Sequence, residues 1–226
     1  MASPDLPTLY AIDFGTSNSL VAAANAERIF PPAPLDPAAA DPTILRSILC
    51  FPDAGGAYVG SEALQQFIEH GAEGRLLRSI KHHLGSRAFR GTVIRGRMFT
   101  PEALVAALLR PMRQRADAFF GTEVRRAVLG RPVHFDGDDD AFAEARLRGA
   151  AELAGFEEVH FLPEPVAAAR AFGAAADREP DPGPCVRIVA VRGDLHGTGC
   201  YRPGGSGVHR LRGVVIMAPW RQQRPR

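Results

Sequence analysis

The chain has 226 residues, 46% hydrophobic and 23% charged, with a formal net charge of +2, the balance of a soluble globular protein with material for one substantial core or two small ones. No stretch reaches the roughly 20 apolar residues of a membrane helix, and Met1 to Pro7 has neither the basic nor the apolar region of a secretory leader. These features predict neither a membrane-spanning helix nor a leader and set the expectation of a cytoplasmic protein.

Leu9 to Ile12 reads as a buried strand, Asp13 to Ser19 as a tight polar turn, and Leu20 to Ala24 as a returning strand, which together predict a β-hairpin. Five prolines between Pro31 and Pro42 predict a loop, followed by a strand from Ile44 to Phe51 and a turn at Gly55-Gly56. Helices are expected at Ser61 to Glu69 and at Gly74 to His83, where Leu76, Leu77, Ile80 and Leu84 keep a helical period. Another helix opens with Thr100 as N-cap and Pro101 at its first position, with Leu104, Leu108, Met112 and Phe119 near one face and Pro111 expected to bend or split it. Val124 to Leu129 is a strand, Asp138 to Gly155 a helix with acidic residues at its start, Val159 to Leu162 a strand, and Glu164-Pro165 opens an alanine-rich helix ending near Gly173. The order predicts a mixed α/β sheet.

Residues 177–184 have a linker composition, and Val186 to Val191 is the one strand expected beyond them. From Gly183 onward there are eight arginines and one acid, Asp194, leaving 19 basic and 24 acidic residues before it. This basic segment has no aromatic platform beyond Tyr201 and Trp220, so a nucleic-acid partner is not expected. Cys50, Cys185 and Cys200 lack metal-ligand spacing and read as unpaired thiols.

Three segments carry candidate chemistry. In Asp13-Phe14-Gly15-Thr16-Ser17-Asn18, the glycine permits close backbone approach to a ligand, successive N–H groups and the two hydroxyls can hold phosphate, and Asp13 is a hard oxygen ligand suited to the water shell of Mg²⁺. A polar hairpin tip with an Asx-type turn is the plainer alternative. Lys81 is the sole lysine among 27 basic residues, a point charge on a flexible stem able to reach a γ-phosphate or an attacking water; the alternative is an incidental surface lysine, with His82 and His83 as ordinary polar positions. Glu164 stands before an alanine-rich helix with Pro165 at the first helical position, either as a site carboxylate or as a cap only. A strand-end carboxylate, a lysine and a helix-start glutamate could surround one Mg–phosphate group.

Residues 12–18 resemble the first phosphate motif of the heat shock protein 70 family, within the wider actin, hexokinase and chaperone superfamily. Ser79-Ile80-Lys81-His82-His83-Leu84-Gly85 resembles its lysine and Leu-Gly segment, and Ala154-Gly155-Phe156 through Pro163-Glu164-Pro165-Val166-Ala167-Ala168-Ala169 resembles its Ala-Gly, Glu-Pro and alanine-rich run. Val128 to Val133, with Pro132, is similar to the preceding strand; Gly130-Arg131-Pro132 is closest to a divergent bacterial branch of heat-shock-70-like chaperones.

The resemblance implies an α/β, ribonuclease-H-like (actin-like ATPase) fold, a mixed sheet with flanking helices and an inserted subdomain at residues 31–111. Residues 1–184 would form a first lobe and residues 185–226 an atypical, poorly ordered basic tail. It also implies ATP and Mg²⁺ as cofactors, with Asp13, Lys81 and Glu164 catalytic. Asp13 and Glu164 would act at the metal, and Gly15, Thr16, Ser17 and Asn18 would bind the nucleotide. A full-length form would act on unfolded client proteins as a chaperone, with no nucleic-acid or membrane partner. A relay arginine is usual near residues 144–148; Arg146 is close to that place without matching its register.

The family's second phosphate loop, Asp-x-Gly-Gly-Gly-Thr, is expected after Val186 to Val191, and the chain instead reads Arg192-Gly193-Asp194-Leu195-His196-Gly197. The genetic code permits codons for Val191 to His196 that, read one base later, spell Phe-Gly-Gly-Thr-Ser, so the sequence motivates the hypothesis of an out-of-frame tail and a truncated lobe with poor turnover. Two other readings are a non-catalytic actin-like interaction or filament protein, including a degenerate remnant, and a sugar or acid kinase of the same superfamily; the Glu-Pro-Val-Ala-Ala-Ala run favours the chaperone branch over the kinase.

Overall fold

The computed structural model describes residues 5–135 and 139–167, together with the backbone of residues 186–189 and 198–201. A mixed sheet forms the base. Strand β1 (Leu9–Phe14) and β2 (Asn18–Ala24) make the antiparallel hairpin foreseen in the sequence, and β3 (Ile29–Phe30) and β4 (Leu45–Arg46) both pair with β2. On the other side of β1 lie two parallel neighbours, numbered in chain order β10 (Arg126–Arg131) and β11 (Glu158–Pro163), giving the order β11-β10-β1-β2-β3. The crossover between β10 and β11 is the helix α3 (Asp140–Leu153), as a parallel pair requires.

A second layer is built from β5 (Ile48–Phe51), β6 (Tyr58–Val59) and β7 (Arg75–Arg78), with the helix α1 (Gly60–Glu69) and the hairpin β8 (Thr92–Ile94) and β9 (Arg97–Phe99). The strand expected from Ile44 to Phe51 divides at Ser47, because β4 joins the main sheet and β5 the second one. The helix expected at Gly74 to His83 is corrected: Arg75–Arg78 pairs antiparallel with β5, and only Ile80–His83 is helical, as one short 3-10 turn. Cross-strand partners for Leu76 and Leu77 outweigh the helical period that four apolar residues happen to share. Helix α1 has no capping side chain of its own at Val59; Asp36, buried in the proline-rich loop, accepts from Ser61 N–H at 2.8 Å. Gly60 has φ +69, and a Cβ there would sit 2.6 Å from Asp36 Oδ2, so the junction requires glycine.

Helix α2 (Pro101–Phe120) joins the layers. Thr100 Oγ1 accepts from Ala103 N–H at 3.2 Å, Pro101 occupies the first turn, and Gly121 ends the helix at φ +68. Pro111 does not split it. Leu108, Leu109 and Met112 are buried on either side of the proline, and their packing holds both halves in one helix despite the missing donor. Leu104, Leu108 and Met112 share the buried face as expected, whereas Phe119 is half exposed and meets Phe120 edge to face with ring centroids 4.9 Å apart. One apolar core runs from Tyr10, Ile12 and Phe14 through Leu104 and Leu108 to Leu49, Phe51 and Ile94, so both layers share it. The expected subdomain boundary at residue 111 falls inside α2.

Beyond Ala167, Val186–Val189 pairs antiparallel with Thr198–Tyr201, a partner the sequence did not suggest. The linker expected at 177–184, Cys185, the alanine-rich helix beyond Ala167 and the rest of the basic tail lie outside the described residues. Cys50 is a buried free thiol.

Helix α3 starts at two acids. Asp139 accepts from Phe142 N–H at 2.9 Å and pairs with Arg87; Asp140 accepts from Phe135 N–H at 2.8 Å and meets His134 at 2.8 Å. At the other end Phe156 N–H bonds Ala151 C=O and Gly155 N–H bonds Glu152 C=O, a Schellman stop with Gly155 at φ +97. The Arg87 guanidinium holds the Asp139 carboxyl below its ordinary range, and the Phe135 amide does the same for Asp140. Depressed folded values mean stabilisation that is present above about pH 4 and lost as the pH falls through them. Asp140→Asn is therefore expected to flatten the acid side of the stability curve, measured as thermal midpoint against pH. An unchanged acid slope would contradict this account of the helix start.

Candidate functional site

Strands β1, β10 and β11 run parallel to one another, so their C-terminal ends finish on one edge of the sheet, where open α/β sheets place their ligands. Asp13 lies near the end of β1, Gly130 near the end of β10, and Glu164 directly after β11. Gly130 explains how the two carboxylates approach. A Cβ placed there would stand 3.6 Å from Glu164 Cγ and 3.9 Å from Asp13 Oδ1, so both side chains border the same small space above the glycine. Glu164 is the first residue of the helical segment 164–167, with Pro165 behind it.

The turn 15–18 follows β1 and projects from the same edge. Gly15 N–H closes it onto Asn18 C=O at 3.1 Å; Gly15 is buried, Thr16 half-buried, and Ser17 and Asn18 exposed. Its shape is fixed from outside by Ser47. The Ser47 amide donates to Ser17 C=O at 2.9 Å, its hydroxyl donates to Gly15 C=O at 2.8 Å, and Ser19 Oγ lies 2.9 Å from Ser47 Oγ. These bonds engage carbonyls of the turn, while Ser17 stays exposed and Thr16 half-buried.

Lys81 is not a surface lysine. It is 8% exposed, and its Nζ donates to Glu164 Oε1 at 2.6 Å across 83 residues of sequence. Ser79 precedes the short helix at φ +55, a conformation uncommon for a residue with a side chain, and Ile80 and Leu84 anchor it in the core. A desolvated ammonium is tolerated because a carboxylate meets it directly; Glu164 stays about a third exposed, so the pair is accessible from the site side. His83 stacks on Phe89 at 4.4 Å.

Arg146 supports this arrangement from α3. Its guanidinium reaches the carbonyls of His83, Leu84, Ser86 and Phe89, and its Nε lies 3.1 Å from Glu102 Oε1, an ion pair short of hydrogen-bond alignment. A cavity of about 520 Å³ bordered by Arg131, Asp140, Glu144 and Arg148 lies on the flank of α3. It is an open dish over Ala141, Ala145 and Gly149; the convergence of charged groups is at the strand ends, and the site is assigned there.

The donors fit a hydrated divalent cation. Among the described residues no three His, Cys, Asp or Glu side chains form a metal cage. Two carboxylates on either side of the glycine position match Mg²⁺, which keeps most of its water and takes few protein ligands.

The Hsp70 protein family model matches residues 9–191. The chain belongs to the Hsp70 family. Its relatives include the "Chaperone protein DnaK" of Thermotoga neapolitana, 31% identical over 162 residues, and those of Thermosipho africanus, 32%, and Thermotoga petrophila, 30%, each alignment covering 72% of this chain and 25% of the relative. The chain thus spans about a quarter of the length of these curated relatives. Membership makes the fold the actin-like, ribonuclease-H-like one of Hsp70 ATPase domains, and the mixed sheet with flanking helices is that architecture. It also implies nucleotide binding. The match ends at Val191, after which the expected second loop does not follow. Among the described residues no helix is long and apolar enough to cross a membrane.

Sequence reasoning named Asp13, Lys81 and Glu164 and missed Ser47 and the purpose of Gly130. Neither had a local signal, since a serine after a short strand and a glycine in a strand acquire meaning only from what faces them. Ser47→Ala is expected to cost about 1–3 kcal/mol, because it strips buried groups at Gly15 and Ser19 of their partner. Chemical denaturation measures this; a loss below about 0.5 kcal/mol, as at ordinary surface sites, would contradict it.

Proposed function

We propose that this chain binds the phosphate end of Mg–ATP at the joint ends of β1, β10 and β11, as the first lobe of an Hsp70-type ATPase. The observation that carries the reading is that Asp13 and Glu164 both border the position above Gly130 at the strand ends, with Lys81 Nζ on Glu164. Thr16 and Ser17, with Gly15 and Asn18 shaping the turn, donate to the phosphates. Asp13 and Glu164 hold the water shell of Mg²⁺, whose chemistry when bound is to neutralise charge on the phosphate oxygens. Lys81 Nζ, held by Glu164, offers its remaining protons to the γ-phosphate or to an attacking water, and the buried position keeps that charge from being screened.

In this reading residues 1–184 are the first lobe, with residues 31–111 as its inserted subdomain, and residues 185–226 a distinct basic segment. The longer protein to which such a lobe belongs hydrolyses ATP in the cytoplasm and switches conformation to hold and release unfolded client proteins; nucleic acid and membranes form no part of the proposal.

Calorimetric titration of the 226-residue chain with Mg–ATP is the test. Binding of the phosphate end alone is expected in the millimolar range, on the order of −4 kcal/mol. Asp13→Ala and Lys81→Ala are each expected to abolish it. Gly130→Ala is the sharper variant, because its Cβ makes ordinary contacts at 3.6 Å with Ile12 and Glu164 and so spares the fold while placing a methyl group between the carboxylates. Binding unaffected by all three substitutions would place the nucleotide elsewhere.

A further inference from the structure

Lys81 sits on a single 3-10 turn, too short to hold a charged side chain in place by its own hydrogen bonds. Four carbonyls from the end of this turn and the stretch after it, those of His83, Leu84, Ser86 and Phe89, meet one guanidinium. Arg146 Nη1 reaches Ser86 O at 2.9 Å and the His83 and Leu84 carbonyls at 3.3 Å, and Nη2 reaches Phe89 O at 3.2 Å. Its side chain is 11% exposed, stacks over the Phe142 ring at 4.3 Å, and has its charge balanced by Glu102 from the first turn of α2. Arg87 stacks on the same ring and pairs with Asp139, fastening the same segment to the start of α3.

We infer that Arg146 is a positioning residue that holds the Lys81 segment against α3 and thereby keeps Nζ on Glu164. The planar fork suits this task, since it can serve several carbonyls at once, which an ammonium on a flexible stem cannot do with the same rigidity. The consequence for phosphate chemistry rests on the nucleotide-site reading above; the positioning itself does not. Without Arg146 the segment 82–89 loses a charged clamp, the carbonyls turn to water, and the 3-10 turn is free to carry Lys81 out of its ion pair.

The sole lysine supplies the readout. Amine-selective reductive methylation of the full chain, without nucleotide, can modify only Lys81 and the N-terminus, and cleavage at arginine isolates Lys81 in the peptide 79–87. Arg146→Gln is expected to raise the Lys81 rate about tenfold relative to the N-terminal amine, as loss of charge-assisted bonds implies. Arg148→Gln, on the same helix but bonded to Val159 C=O and stacked on Phe161, is expected to leave the ratio at its wild-type value and controls for general weakening of α3. Glu102→Gln removes only the counter-ion of Arg146 and is expected to give a smaller rise, which decides the matter if Arg146→Gln does not fold. An unchanged ratio in the folded variants of Arg146 and Glu102, or an equal rise in Arg148→Gln, overturns the inference. Since no nucleotide is used, release of Lys81 in a chain that binds no ATP would leave the inference standing and remove the phosphate reading.

Discussion

A buried ammonium must have a carboxylate, and much of this molecule is organised around meeting that condition at one place. Lys81 belongs to the second layer and Glu164 to the main sheet, so their 2.6 Å contact forms only when both layers are assembled. Removing water from either charge costs several kcal/mol, and the attraction offsets that cost only in tight geometry. Such a pair contributes little net stability and much specificity of arrangement: a layer displaced by a few ångströms would leave an uncompensated charge in the core. The same requirement makes the site accessible from one direction, since Glu164 is the partner left partly open.

The distribution of basic residue types fits this division of work. Arginines that fasten elements do so through forks: Arg113 bonds Ala154 C=O and Asp117, Arg115 bonds Leu35 C=O and pairs with Glu62, and Arg146 gathers four carbonyls. Asp117 in turn accepts from the Tyr10 hydroxyl and the Val124 amide, and burial, with that hydrogen bond, keeps the Tyr10 phenol protonated far above its ordinary range. Among the described residues Lys81 makes one short contact, to Glu164 at the edge of the candidate site. A flexible point charge is poorly suited to fastening and, in the nucleotide-site reading proposed above, well suited to following a phosphate.

Local chemistry made a large part of this legible. The hairpin with its polar turn, the Thr100-Pro101 start of α2, the glycine stop of α3 and the Glu164-Pro165 helix start each follow from backbone rules that need no tertiary context. The failures are tertiary. Leu76 and Leu77 satisfied a helical period, yet β5 offered them cross-strand partners, and only the length of chain left for the 3-10 turn remained helical. Pro111 carried a breaker signal that packing on both sides overrode. Arg146 stood near a family position without matching its register, and its contacts along residues 83–89 could not be inferred from α3 alone.

The position of α2 explains why the Lys81 segment and the sheet edge act as one unit. This helix packs against α3, the 3-10 turn, β2, β5 and β9, and so touches both layers along its length. Its first turn supplies Glu102 to Arg146, its middle supplies the apolar face that closes the shared core, and its last turns supply Arg113, Arg115 and Asp117 to the main sheet, the proline-rich loop and α1. Any motion of the second layer that withdrew Lys81 from Glu164 would have to loosen either the α2 face, which is buried apolar surface with no alternative partner, or the Arg146 clamp, which is polar and can exchange its carbonyls for water. The clamp is the weaker of the two, so on the positioning role inferred for Arg146 such a motion would begin at residues 82–89 and not in the helix.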